Sequence, residues 1–411
     1  MDNFFIFLIL VFSFYGHDSL CYNNTSLLSN REDDSSFLQG VYGDSYSYFT
    51  VLFLGKEKIH QTYILDTGSF ITTSPCDKCL SCEEHFSPKY KLEDESKIIP
   101  CNSKKCDILS NVLCQSNQCS FIAGFEEGSM ISGLYVNEKI FFEETINKSI
   151  SYNIPIGCTT KEEGIIVRSQ DADGIMGLGN NNKTFIDILY NTNVIKRNIF
   201  SLCFSHQGGY FSIGKIDTTY HFSPNINYVN LIDINLQLYL VKLNYIQVGN
   251  KKIEYNGRAT IDSGSTLTYF PNKIFKSIMK KYLKICKNCG NLKRIEEYGY
   301  CAKVKDEDEM NVIVNEWKDI IIVLDDNKFI WKPENYYFIY EKKEDELYLC
   351  LGFEGDNIDK IVLGITFMHG FDIIFDKEKF RIGIVPADCE RNRTLIGEEN
   401  DNNITIENQD L

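Results

Sequence analysis

The chain has 411 residues, 42 basic and 57 acidic side chains, a formal net charge of −15, 43% hydrophobic residues and 15 cysteines. That length exceeds what one core usually serves, so two lobes are expected, and the apolar content excludes global disorder. A field of that sign repels phosphate, which argues against nucleic acid and leaves polypeptides as partners.

Phe4 to Tyr15 is an uninterrupted apolar run, too short to span a bilayer comfortably and of signal-peptide length. Residues 1–20 are therefore read as a signal peptide cut between Tyr15 and Cys21, although Met1-Asp2-Asn3 lacks the usual positive charge. The secretory route places the cysteines in an oxidising compartment, and sequons at Asn23, Asn24, Asn147, Asn182, Asn392 and Asn403 are compatible with it. Residues 21–36 form a short polar leader. From Gln39 the chain alternates as strands do, through Tyr48, Thr50 and Leu52, a turn at Gly55 and Tyr63-Ile64-Leu65. Helical periods are few: Thr184 to Asn191, Pro271 to Lys287 and Ile365 to Gly370. The fold class is mostly β.

An internal repeat organises the chain. Tyr63-Ile64-Leu65-Asp66-Thr67-Gly68-Ser69 recurs 196 residues later as Ala259-Thr260-Ile261-Asp262-Ser263-Gly264-Ser265. Each copy is followed by an apolar-apolar-Gly element, Ile175-Met176-Gly177 in the first half and Val362-Leu363-Gly364 in the second. A strand ending in Asp-Thr-Gly presents its carboxylate at a turn, with glycine supplying backbone freedom. Two such turns on a pseudo-dyad would bring Asp66 and Asp262 together. Like charges in contact cannot both ionise, so the pair shares a proton and titrates as a unit. One carboxylate can then activate a water while the protonated one polarises a carbonyl. This is peptide hydrolysis without a metal or cofactor, and neither is expected.

Tyr63–Ser69, Ala259–Thr266, Asp171–Gly179 and Val362–Pro386 together resemble the pepsin-like aspartic proteases over roughly residues 37–390. The resemblance implies a bilobal fold with pseudo-twofold symmetry: an N-terminal lobe over 37–225, a C-terminal lobe over 226–391 and an acidic tail over 392–411. It implies catalysis by Asp66 and Asp262, with Thr67, Gly68, Ser69, Ser263, Gly264 and Ser265 supporting the two turns. Cys76, Cys79, Cys82, Cys101, Cys106, Cys114, Cys119 and Cys158 look like the cysteine-rich insertion of the nepenthesin-type branch, which includes plasmepsin V. Cys76-x2-Cys79-x2-Cys82-x2-His85 also has metal-ligand spacing, but an oxidising lumen favours disulfides. Eight cysteines allow 105 pairings, so connectivity in the insertion stays open. Resemblance suggests Cys203–Cys389 and Cys301–Cys350, leaving Cys286 and Cys289 to pair locally or stay free.

The candidate flap is Phe125-Glu126-Glu127-Gly128-Ser129, and Thr266 follows the second turn. Family members carry Tyr at the first flap position and a Trp seven residues past the first Asp. Here these are Phe125 and Thr73, so both members of that hydrogen bond are lost together. The plasmepsin V-like resemblance gives Glu127 a substrate role, since that group accepts Arg two residues before the residue that is cut after. A solvated hairpin tip explains the same two glutamates more plainly. The leader lacks the long basic segment of many pepsin-like zymogens, so activity without its removal is expected. No anchor is expected in the mature chain, and a monomer acting on protein or peptide substrates is. Asn408-Gln409-Asp410-Leu411 matches a retrieval signal only in its acidic-Leu ending. Two other readings stay open: a secreted broad-specificity protease of nepenthesin type, and a catalytically silent binding protein.

Overall fold

The computed structural model describes residues 36–390 apart from 44–47, 83–84, 93, 126–127, 144–147, 149, 165–171, 234–236, 287–288, 290–291, 296–298 and 343–345, and apart from the side chains of 341, 342 and 346. The signal peptide, nearly all of the leader, Cys21, the acidic tail, Glu126, Glu127 and every sequon asparagine except Asn182 lie outside the described residues. Among the described residues no helix is long and apolar enough to cross a membrane.

The fold is mostly β and bilobal. Its two halves repeat one local design. The strand Ile59–Asp66 runs parallel to Gly174–Gly177, with Asp66 opposite Gly177, and Thr72–Pro75 pairs antiparallel on the other side of that short strand. In the second half Lys251–Ile261 runs parallel to Ile361–Leu363, with Ile261 opposite Leu363, and Thr268–Pro271 meets it antiparallel at Tyr269 and Val362. The chain leaving each Asp turn thus crosses over the apolar-Gly strand to pair on its far side. That crossing explains the conserved chemistry of the repeat within this chain. A Cβ on Gly177 would collide with the backbone of Phe70 and Ile71, and one on Gly364 with the carbonyl oxygens of Ser265 and Leu267.

The lobes share a sheet. Phe37–Gly43, Gly208–Ile213, Ile199–Ser205, Phe371–Asp376, Arg381–Pro386 and Asn227–Asn230 are successive antiparallel neighbours. The sequences IFSLCFS and FDIIFD are buried along their whole length, which is why they read as continuous rather than alternating apolar runs. This sheet crosses the boundary expected near residue 225, because strands late in the chain close against strands of the first half. Buried Lys377 ties the same joint: its Nζ lies 2.6 Å from Asp187 Oδ2 and donates to the carbonyls of Gly179 and Asn181.

The expected helices appear as Phe185–Asn191, Asn272–Ile285 and Ile365–Met368. A further helix, Glu307–Glu316, carries a clear start signal. The Asp306 side chain accepts from Glu309 N, and the first turn is acidic, which suits the positive end of the helix dipole.

Two histidines meet where the lobes join. The His206 and His369 rings are 4.5 Å apart between centroids, and His369 lies between the Tyr48 hydroxyl at 2.8 Å and the Asn335 carbonyl at 3.1 Å. Burial, and then the neighbouring His206, hold His369 well below the ordinary histidine range. Burial also lowers His206, against the Glu334 carbonyl and the Glu390 carboxylate, while Tyr337 stacks on its other side. The unfolded chain takes up these protons near pH ~6.5 and the folded chain only lower, so the stability they contribute is complete above that pH and is lost as pH falls below it. The urea midpoint should drop between pH 7 and pH 5, and His369→Gln should flatten that slope. An unchanged slope in the variant would remove His369 from the account.

Candidate active site

The two Asp turns interlock. Thr67 N donates to Ser263 Oγ at 3.0 Å and Ser263 N to Thr67 Oγ1 at 2.9 Å. The hydroxyls then reach across to the strands behind, Ser263 Oγ to Leu65 O at 2.6 Å and Thr67 Oγ1 to Ile261 O at 3.2 Å. All four bonds are buried, so each satisfies groups that water cannot reach. Removing one hydroxyl leaves its partners unpaired, at about 1–3 kcal/mol. Thr67→Val and Ser263→Ala should each lower stability by roughly that amount in urea unfolding, and Thr67→Ser should retain most of it. A Thr67→Val protein as stable as the parent would show that the hydroxyl lattice does not hold the turns.

This lattice aims the carboxylates at each other. Gly68 N donates to Asp66 Oδ1 at 2.8 Å and Gly264 N to Asp262 Oδ1 at 3.0 Å. A Cβ added to Gly68 would sit 2.7 Å from Asp262 Oδ1 and 3.2 Å from Asp66 Oδ1. On Gly264 it would fall within contact of Asp66 Oδ1 and 3.3 Å from Asp262 Oδ1. Each carboxylate therefore leans over the other turn's glycine, and no larger residue fits at either position. Ser265 Oγ donates to Asp262 Oδ2 at 2.8 Å, whereas its counterpart Ser69 Oγ is buried without a hydrogen-bond partner among the described residues. Thr266 stands just beyond, its carbonyl accepting from Thr366 N.

A hairpin of Gln118–Gly124 and Met130–Phe141 reaches toward these turns. Phe125 N donates to Ser129 O at 2.9 Å and Gly128 N to Phe125 O at 3.0 Å, which closes the tip. Gly128 has φ +93°, a conformation that glycine adopts readily and other residues rarely do. Between hairpin and turn lies a cavity of about 90 Å³, walled by Phe125, Ala123 and Ile131 from the hairpin side and by Ser69, Phe70 and Ile175 below. It opens beside Gly68, so an apolar side chain held there would set its backbone close to the carboxylates.

Over residues 47–387 the sequence matches the family described as eukaryotic aspartyl protease. The chain belongs to that family. It is an aspartic-type endopeptidase, and proteins or peptides are its substrates. It is 26% identical to "Plasmepsin V" of Plasmodium falciparum (isolate 3D7), an alignment covering 86% of this chain and 74% of the relative. "Aspartic proteinase-like protein 1" of Arabidopsis thaliana is 24% identical over 84% of this chain and 68% of its own. "Aspartic proteinase nepenthesin-1" of Nepenthes gracilis is 26% identical over 59% of this chain and 57% of its own. The similarity is thus to the nepenthesin-type, plasmepsin V-like side of the aspartyl proteases.

Within that family this protease departs at the flap. Thr73 is buried, and its hydroxyl lies 2.6 Å from that of Thr159. Gly157 packs against it so closely that a Cβ there would be 2.6 Å from Thr73 Oγ1. A Trp side chain has no room at Thr73, and both tryptophans, Trp317 and Trp331, are buried in the second lobe. Phe125 accordingly needs no hydroxyl and serves as an apolar wall.

The cysteines of the insertion pair as Cys76–Cys158, Cys79–Cys82, Cys101–Cys114 and Cys106–Cys119. Cys203–Cys389 and Cys301–Cys350 form as the resemblance implied, and Cys286 pairs locally with Cys289. Sequence reasoning missed Phe70, Ile71, Asn111, Ala123, Gly124 and Ile131 as cavity walls, whereas Gly68, Ser69, Phe125 and Ile175 were already singled out.

Proposed function

We propose that Asp66 and Asp262 form the catalytic dyad of a secretory-pathway processing protease that prefers a basic residue near the cut. The observation that carries this reading is the interlocked pair of turns, which sets two carboxylates over one another's glycines beside an apolar cavity. The dyad holds one proton between its carboxyl groups. The ionised member takes a proton from a water bound between them as that water attacks the scissile carbonyl. The protonated member donates to the carbonyl oxygen as it gains charge. The resulting tetrahedral diol collapses as the carboxyl that took the water's proton gives it to the leaving nitrogen and the other carboxylate takes a proton back from a diol hydroxyl, which returns the dyad to its starting state. Fixed amide donors, Gly68 N on Asp66 and Gly264 N on Asp262, hold the carboxylates so that little reorganisation accompanies attack.

Ser69, Ser265 and Thr266 stand at the turn edges, and Phe125, Gly128 and Ser129 form the flap over the bound peptide. Glu127 at the tip supplies the preference for Arg that the plasmepsin V-like resemblance implies. The cavity, lined mainly by apolar groups, supports a second reading equally well in its own terms: a secreted protease that selects only an apolar side chain. Cleavage-site profiling of the purified chain against a peptide library, at acid and at near-neutral pH, separates the two. Enrichment of Arg two residues before the residue cut after supports the processing role. Enrichment of apolar residues alone supports broad digestion.

A further inference from the structure

One cluster of metal-ligating side chains takes no part in this chemistry. Cys79 and Cys82 are joined across a two-residue gap, and Cys79 is only 7% exposed. Beside them His85 Nε2 lies 3.2 Å from Glu162 Oε2, with the two side chains 5% and 7% exposed. Cys82 Sγ, a His85 ring nitrogen and a Glu162 carboxylate oxygen all lie within 4.8 Å of one another. A sulfur, an imidazole nitrogen and a carboxylate oxygen that converge in this way are the donor types zinc takes.

We propose that Cys79, Cys82, His85 and Glu162 form a zinc site that opens when the Cys79–Cys82 disulfide is reduced. Two thiolates, one neutral imidazole and one carboxylate make a closed tetrahedral set, with bonds of about 2.3 Å to sulfur and about 2.0–2.2 Å to nitrogen and oxygen. Tetrahedral ligands at about 2.05 Å stand about 3.3 Å apart, close to the separation His85 and Glu162 already have. The reductant is a dithiol. One of its thiolates attacks a sulfur of the pair to give a mixed disulfide, and its second thiol closes a cyclic disulfide. Two electrons pass to the protein sulfurs, each of which takes a proton. Zinc then displaces both protons as the thiolates bind.

Reduction leaves the surroundings in place. Cys79–Cys82 closes a loop of separation three, whereas Cys76–Cys158, of separation 82, holds the insertion to the strand that carries Glu162. A backbone bridge between Ser81 and Lys161 docks the cysteine loop beside Glu162 as well. The site adjoins the flap: Glu162 pairs across the sheet with Ile131, which lines the cavity by the Asp turns.

Cys79→Ala tests the site in the full chain without reducing any other disulfide, because it frees Cys82 next to His85 and Glu162. After dialysis against micromolar zinc, elemental analysis should find zinc on the Cys79→Ala chain, where water takes the fourth place beside Cys82, His85 and Glu162, and essentially none on the oxidised parent. Adding His85→Ala or Glu162→Gln should weaken binding by at least about 10-fold, since even the groups that orient ligands are worth that much. In the parent chain treated with a mild dithiol, zinc should protect Cys79 and Cys82 from alkylation, and His85→Ala should abolish the protection. This second arm decides the matter if Cys79→Ala does not fold or, short of one ligand, holds no zinc. Zinc that gives Cys79 and Cys82 of the reduced parent no protection from alkylation, or zinc binding indifferent to both His85→Ala and Glu162→Gln, overturns the proposal.

Discussion

Asp66→Asn and Asp262→Asn will each reduce peptide hydrolysis by at least about 10²- to 10⁴-fold, the range that positioned acid–base groups contribute. Either amide removes a carboxyl group from the pair, so the remaining member can no longer act with a shared proton. Asparagine keeps a side-chain oxygen in each position, and that oxygen can still accept from Gly68 N or Gly264 N. The turns are held mainly by the Thr67 and Ser263 lattice rather than by the carboxylates. Secretion and thermal unfolding of both variants should therefore stay close to the parent, which separates lost chemistry from lost fold. Assay of kcat on a cleaved peptide checks this, and near-parental turnover in either variant would exclude the assignment.

Glu127→Ala is expected to lower kcat/KM on peptides bearing Arg two residues before the residue cut after by about 10- to 150-fold, the equivalent of losing a charge-assisted bond of ~1.5–3 kcal/mol. A carboxylate and a guanidinium pair through two parallel hydrogen bonds, and the bond is stronger where water is excluded. Lysine offers only a point charge, so Arg peptides should outrun Lys peptides in the parent and lose that advantage in the variant. Peptides with Ala at the same position should change little. Glu126→Ala is the internal comparison, because it removes the neighbouring carboxylate and leaves Glu127 in place. Equal losses for Arg and Ala peptides would mean that Glu127 only supports the flap, and broad digestion would become the better reading.

The repeat was legible because its chemistry is local. Asp, Thr or Ser, and Gly must stand together for a turn that presents a carboxylate, and Gly177 and Gly364 are required wherever the departing chain crosses. Strand alternation was legible where one face meets solvent, and the shared sheet was not, since its strands Ile199–Ser205 and Phe371–Asp376 are buried throughout. The helix Glu307–Glu316 carried its signal in Asp306 and the acidic first turn, but few of its side chains are buried. Disulfides in the insertion were illegible for a different reason. Cys76 finds Cys158 only after 82 residues of chain have folded back, and spacing holds no record of that. Cavity walls share this dependence: Asn111 and Ile131 come from separate segments brought over Phe70 by the hairpin. The absent Trp was visible in sequence, but its replacement by a Thr73–Thr159 hydroxyl pair was not.

The most direct measurement uses a peptide in which the scissile amide is replaced by a secondary hydroxyl group, placed where the tetrahedral diol would form. A dyad that binds the transition state through one shared proton should hold this compound at least ~10²-fold more tightly than the parent peptide. Asp66→Asn and Asp262→Asn should each erase that advantage while still binding the parent peptide. An isostere that binds no better than the peptide it mimics, or one whose tight binding survives in both variants, would contradict the two-carboxylate mechanism.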